Sequence, residues 1–269
     1  MKRGNNNIII IIVFLLLLFS YPLCLRSQLV NDFKVNDDST NTSQDHASLG
    51  VDGNGNFVVV WYDWRNSNEE IFCQLFNSLG QKTGSNFRLV SPGYSPDVAV
   101  RKDGSFGLCW LDTFPKFRLF NKNGVPISNV IKMDSVNFPQ ANTPSIACDS
   151  SGNFVVVFQR KITLTYLNIH FQLFDSLGNK VGSGGRVNDD TLSMIVHKNF
   201  DVTKRRDGSF IVTWQDYRMY SLNGTDDIYI QMYDRFGGKI GNNTMVNNDT
   251  VMLDYQHLPK ITSDDAGRF

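Results

Sequence analysis

Residues 57 to 62, FVVVWY, form an unbroken apolar run that starts directly after the turn-forming DGNGN and stops at Asp63. The same arrangement returns as KDGSFGLCWLD, SSGNFVVVFQR and RDGSFIVTWQD, and a shortened form, DAGRF, closes the sequence. Runs that are β-branched and aromatic at consecutive positions predict strands covered on both faces. Aligned on the turn glycine, Gly55, Gly104, Gly152, Gly208 and Gly267 stand in register, with Phe57, Phe106, Phe154, Phe210 and Phe269 two residues on. The intervals of 49, 48, 56 and 59 residues mark a repeat architecture.

Each unit has the same grammar. A short extended run (HASLGV, PDVAV, PSIAC, FDVTK, PKITS) precedes the turn, whose Gly supplies the positive φ of a tight reversal. The apolar run follows, then a third run (IFCQLFNSLG, KFRLFNKNG, IHFQLFDSLG, IYIQMYDRFG), then a shorter fourth (NFRLV, VIKM, GGRVN, TMVN). No 3.6-residue helical period interrupts them. Four strands in 48 to 59 residues predict an all-β chain, a β-propeller of four-stranded antiparallel blades, since a two-sheet sandwich needs about 100 residues. The expected blades are 45–91, 95–134, 142–188 and 199–247, with a partial fifth at 257–269. Before them, FKVNDDST matches GGRVNDDT and TMVNNDT, which predicts an outermost strand at 29–38 that pairs with C-terminal strands to close the ring. Because Phe269 is the first core residue of a second strand, the sequence reads as an incomplete fragment: finishing that strand and adding a third would complete five blades, and six to eight would need further repeats.

The first residues, MKRGNNN followed by the apolar Ile8 to Phe19, have the layout of a secretory signal peptide, with cleavage expected after Ser27. An uncleaved membrane anchor is the alternative, and a lipoprotein reading at Cys24 is weaker because Pro22 and Leu23 are not small. Twenty-six basic residues balance 26 acidic ones, so no global field points to nucleic acid. Removing the leader leaves Cys73, Cys109 and Cys148, an odd number that argues for core packing over a disulfide framework. His46, His170, His197 and His257 show no zinc-ligand spacing.

GNFVVVWYDWR followed by IFCQLFNSLGQKTG resembles the blade repeats of large secreted bacterial β-propeller proteins, many of them similar to cargo of a type IX secretion system. The resemblance covers residues 31 to 269 and implies export and a propeller; it implies no reaction. Asp207, Gly208, Phe210 and Trp214 also distantly resemble the Asp-box hairpin of sialidases, without its Thr-Trp directly after the Gly.

In a propeller the loops joining the second to the third strand, and one blade to the next, share a face. Candidate ligand-binding residues on that face are Asp63, Arg65, Asp112, Arg160, Asp216 and Arg218. Trp61, Asp63 and Arg65, and again Trp214, Asp216 and Arg218, form a Trp-x-Asp-x-Arg element that reads either as a pinned Asp–Arg pair or as part of a polar ligand ring. The Asn-Asp-Asp phrases offer Asp37, Asp38, Asp189, Asp190 and Asp249 as calcium candidates, against the plainer reading of solvated, Asx-capped turns. DGNGN imitates the start of an EF-hand but has Phe57 where Gly is required. A glycoside hydrolase needs two carboxylates roughly 5 to 10 Å apart, and no nucleophile, metalloprotease or phosphate-loop motif is present. Asn41, Asn223, Asn242 and Asn248 begin glycosylation sequons that matter only in a eukaryotic secretory setting.

The resulting expectation is an exported, non-catalytic binding or scaffold module at the cell surface or outside the cell. Its partner would be a glycan or an extracellular protein, with no cofactor and membrane contact only through an uncleaved leader. A propeller glycoside hydrolase or sialidase-like enzyme is the first alternative, and a spacer that presents a further C-terminal domain is the second.

Overall fold

The computed structural model describes residues 32–133, 144–161, 167–190, 195–218, 226–248, 255–264 and 266–269. The expected leader and Asp249 lie outside them. Lys34–Phe269 form one compact unit.

Among the described residues, sixteen strands make four antiparallel sheets, each a meander in chain order. Blade 1 holds β1 (Gln44–Val51), β2 (Phe57–Asp63), β3 (Glu70–Phe76) and β4 (Lys82–Val90). Blade 2 holds β5 (Tyr94–Val100), β6 (Phe106–Leu111), β7 (Pro115–Phe120) and β8 (Ile131–Lys132). Blade 3 holds β9 (Ser145–Cys148), β10 (Phe154–Lys161), β11 (Leu167–Phe174) and β12 (Lys180–Arg186), and blade 4 holds β13 (His197–Lys204), β14 (Phe210–Asp216), β15 (Asp227–Tyr233) and β16 (Lys239–Met245). No helix occurs among the described residues. This is the expected fold class: an all-β propeller of four-stranded antiparallel blades.

The turns explain the recurring phrase. Asp52 Oδ1 accepts the amides of Asn54 at 2.7 Å and Asn56 at 2.9 Å, and Gly55 takes a φ of 82°. Asp149 repeats this with Ser151 and Asn153, and Asp175 repeats it between third and fourth strands with Leu177 and Asn179. DGNGN is therefore an Asx-capped hairpin turn.

The second strands are apolar on both faces because the sheets stack face to face. Val58, Val60, Ile71 and Cys73 of blade 1 pack on Val98, Phe106, Leu108 and Trp110 of blade 2. Cys109, Phe117 and Leu119 then meet Ile146, Phe154 and Val156, and Val155, Val157 and Phe171 meet Val202, Phe210 and Trp214. Blades 2 and 3 close around Gly107, where a Cβ would stand 2.7 Å from Phe154 Cε1. Burial pushes the Cys73 and Cys109 thiols upward and the Cys148 thiol to about 11, which leaves all three unreactive near neutrality.

Three outer strands begin earlier than the hydrophobic pattern predicts, at Lys82, Lys180 and Lys239. A register shift in each separates the polar first half from the predicted second half. One buried glutamine bridges each shift. Gln172 Nε2 donates to the carbonyls of Leu173, Val181 and Gly182 at 3.0 to 3.3 Å, and Gln74 and Gln231 do the same in blades 1 and 4. Replacing Gln172 with Leu leaves these carbonyls unsatisfied and is expected to cost about 1–3 kcal/mol, read as a lower urea midpoint.

The end segments differ from the sequence expectation. Residues 32–43 contain no strand, and neither do the described residues 255–264 and 266–269. Val35 to Asp38 instead clasps blade 1 through Asn86: the Asp37 amide donates to Asn86 Oδ1 at 2.6 Å, and Asn86 Nδ2 donates to the Val35 carbonyl at 3.3 Å. Val187 to Asp190 clasps blade 4 through Asn243 in the same way, at 2.8 and 3.2 Å. The VNDD phrase recurs because it ties the end of one unit to the outer strand of the next.

Candidate functional site

The innermost segments of five units surround one axial cavity of about 510 Å³, on the side of the molecule that carries the second-to-third-strand loops. Its polar lining includes His46, Ser48, Asp97, Ser145, Asn199 and Lys260. Ser48, Asp97, Ser145, Asp201 and Lys260 occupy one repeat position, seven residues before the turn glycine. Ser48 Oγ donates to Asp97 Oδ1 at 2.6 Å, and the Ile146 amide donates to Asp97 Oδ2 at 2.9 Å, so Asp97 ties together units 1, 2 and 3. Asp201 repeats the device with Ser145 Oγ and the Ile261 amide, both at 3.0 Å, with Lys260 Nζ at 3.6 Å. The sequence pattern alone does not reveal this girdle. Its signal is a polar residue that recurs seven positions before each turn glycine, and the recurrence does not say which strand that residue meets.

Two positions earlier in the repeat, the backbone turns left-handed without glycine: His46, Ser95, Asn199 and Leu258 have φ of 51°, 49°, 47° and 53°. Residues bearing a Cβ hold this conformation at a cost of order 1 kcal/mol each. Register shifts fall at the same place in β1, β5 and β13 and bend these strands around the cavity.

Burial raises the Asp97 carboxyl above its ordinary value, and the nearby Asp201 charge adds to this. A carboxyl raised in the folded state favours folding while protonated, so its contribution falls as pH rises from the unfolded value through the folded one. Asp190 and Asp38 work in the opposite direction. Burial acts to raise Asp190, but hydrogen bonds from His197 and Asn188 outweigh it and hold the carboxyl at about 2. Asp38 is held at about 2 chiefly by Thr40. Their stabilisation is present above the unfolded value near 3.8 and is lost as pH falls through about 2. A fall in the urea midpoint between about pH 4 and 2, flattened in Asp190→Asn, is the expected outcome.

The Trp-x-Asp-x-Arg elements lie on the same side. Asp63 is fully buried and accepts Trp61 Nε1 at 2.8 Å, the Arg65 amide at 2.9 Å, and Arg65 Nε and Nη2 at 3.0 and 2.7 Å. Arg65 then reaches Asp37 at 2.8 Å and lies over the Phe72 ring at 4.0 Å. Asp216 repeats the pattern with Trp214 and Arg218, and Arg218 reaches Asp189 and covers Tyr229. Both elements thus pin a loop to the VNDD clasp. Asp112 lacks an arginine two residues on; it accepts the Phe114 amide and pairs with Lys116. Arg160 lies exposed near the end of β10, an inner strand of blade 3.

Among the described calcium candidates, each carboxylate already has at least one protein donor. Asp37 and Asp189 face guanidinium groups, Asp38 accepts Thr40, Thr42 and Gln44, and Asp190 accepts Asn188 at 2.7 Å and His197 Nε2 at 2.9 Å. Asp190, His197 and Asp216 bring one ligand atom each within 4.8 Å of the others. Asp216 is occupied by Trp214 and Arg218, and the donor set does not fit a cation without breaking that pin. Near the cavity, Asn199 Nδ2 donates to Gln215 Oε1 at 2.5 Å. Gln215 in turn meets the fully buried Asp226, whose Oδ2 also faces His257 Nδ1 at 3.0 Å and whose Oδ1 has no partner among the described residues.

No protein-family model matches the chain, and no curated protein matches it in sequence. Solved structures do resemble its fold. One is a protein of unknown function from Dyadobacter fermentans, with a TM-score of 0.56 at 11% identity, covering 76% of this chain and 69% of that one. Another is an α-L-arabinanase from Penicillium chrysogenum complexed with arabinobiose, with a TM-score of 0.52 at 10% identity, covering 74% of this chain and 65% of that one. At such identity the likeness is one of fold, and the chain spans about two thirds of each of these structures.

Proposed function

We propose that the chain is an exported, non-catalytic propeller that binds a glycan, or a glycan-bearing extracellular protein, at its axial cavity. The observation that carries this reading is how the nearby carboxylates are used. Asp63, Asp97, Asp201 and Asp216 each have both oxygens occupied by donors of the protein itself. Glycoside hydrolysis requires one carboxylic acid and one carboxylate directed at the same sugar bond. The cavity instead presents hydroxyl, amide, imidazole and ammonium groups beside Pro96, Pro144 and Pro259, a mixture suited to holding a sugar ring.

A propeller hydrolase is the second reading. Asp226, with its unpartnered oxygen beside His257, and the raised carboxyl of Asp97 favour it. The two readings separate on a panel of neutral oligosaccharides, assayed for binding by calorimetry and for turnover by released reducing ends. Binding without turnover, weakened at least about tenfold, or 1.4 kcal/mol, in Asn199→Ala, is the expected result. Turnover that disappears in Asp226→Asn establishes the hydrolase instead.

A further inference from the structure

Two departures from the repeat meet in one place outside the axial cavity. In blades 1 and 4 the second-strand tryptophan donates its indole N–H to the aspartate two residues on, which an arginine holds in position. In blade 2, Phe114 stands where that arginine would be, Asp112 turns to Lys116, and the Trp110 N–H is buried without a partner among the described residues. In blades 1, 3 and 4 the third strand carries the bridging glutamine; in blade 2 that position is Arg118. Its outer strand β8 is only two residues long and leaves Arg118 partly exposed. Arg118 Nε donates to the Ser128 carbonyl at 2.9 Å, and among the described residues its two terminal nitrogens make no hydrogen bond.

These residues line a cleft of about 370 Å³ between blades 1 and 2. Arg88, Lys116 and Arg118 supply three cations, and Val90, Pro92 and Trp110 supply apolar wall. Asp112 offsets Lys116 and Glu70 offsets Arg88, which leaves the Arg118 fork as the group available to a carboxylate or sulfate. An anionic group held beside an apolar ring face is the chemistry of an acidic sugar. At the small end of ligand-pocket volumes, the cleft encloses a sugar ring or two better than an extended peptide.

We infer that the cleft between blades 1 and 2 binds an acidic saccharide, with Arg118 as the bidentate anchor and Arg88 and Lys116 flanking it. The inference deepens the glycan-binding reading and rests on it, but uses a different site. A galacturonate tetrasaccharide, a sulfated galactose tetrasaccharide and an unsulfated galactose tetrasaccharide are titrated into the purified chain by calorimetry at low and moderate salt. At least one acidic ligand is expected to bind tenfold or more tightly than the neutral one, the better of the two identifying carboxylate or sulfate as the group recognised. Affinity is expected to fall with salt, and to fall at least tenfold in Arg118→Gln but not in Asn199→Ala. Arg118→Lys, which keeps the charge at a partly exposed side chain but loses the fork, is expected to weaken binding severalfold and guards against misfolding of the first variant. Equal affinity for acidic and neutral ligands, or unchanged affinity in both arginine variants, overturns the inference. So does an acidic peptide that binds more tightly than either saccharide. Neutral-sugar binding lost in Asn199→Ala while no acidic ligand binds overturns the cleft site and leaves the axial reading intact.

Discussion

Asp216→Ala is expected to lower stability by about 3–5 kcal/mol, because it breaks a buried ion pair from one side only. Asp216 is fully buried and is the partner of the Trp214 indole, the Arg218 amide and the Arg218 guanidinium. With the carboxylate removed, the indole N–H loses its acceptor, and a guanidinium held over Tyr229 at 4.2 Å loses its buried counter-charge and keeps only the partly exposed Asp189. Arg218 also holds Asp189 at 2.9 Å, so the clasp between blades 3 and 4 loosens as well. The check is a urea midpoint, with the slope watched for a change in two-state behaviour. Asp45→Ala is the comparison: Asp45 and its partner His46 are both about half exposed, and the loss should be about 0–1 kcal/mol. Equal losses in the two variants would contradict the account of the pinned loop.

Phe171→Ala is expected to cost about 3–5 kcal/mol through the lost apolar burial and the cavity left behind. Phe171 lies in the packing between blades 3 and 4, with its ring 5.1 Å from Phe210 and 4.9 Å from Tyr233. Gly185 and Gly237 also sit against this ring: a Cβ on either would stand 2.8 and 3.0 Å from its atoms. A side chain enclosed by three strands and a turn cannot be replaced by local collapse. Leu177→Ala, at an exposed turn tip of the same blade, should stay within about 0.5 kcal/mol. A Phe171 variant as mild as Leu177→Ala would mean that the two blades are not closely packed.

Much of the scaffold is legible in the order of the residues. Apolar runs with no polar face require strands covered on both sides, and Val155 to Val157 are indeed buried on both faces of β10. The Asx–Gly turns are legible because a capped reversal is local: Asp52 bonds only within four residues. The pinned loops are half legible. Trp-x-Asp-x-Arg points to the pair, but not to the reach of Arg65 to Asp37, 28 residues away. The early start of the outer strands is hidden because residues 82 to 85 and 239 to 244 are largely polar, and the glutamine that bridges each shift acts through backbone carbonyls, which leave no pattern in the side chains.

The sequence by itself determined the strand order, the turn chemistry, the repeat and the stacked, two-faced sheets, because each depends on contacts within a hairpin or on the alternation of one strand. Only the tertiary structure decided the axial girdle and the cationic cleft. Ser48, Asp97, Ser145 and Asp201 are about 50 residues apart and meet only because every packed sheet brings its first strand to the same axis. Arg88 and Arg118 face one cleft only because two separate blades close against each other and β8 is too short to cover the gap. A linear pattern records which face of its own strand a residue occupies; which other strand that face meets is set by how the sheets pack.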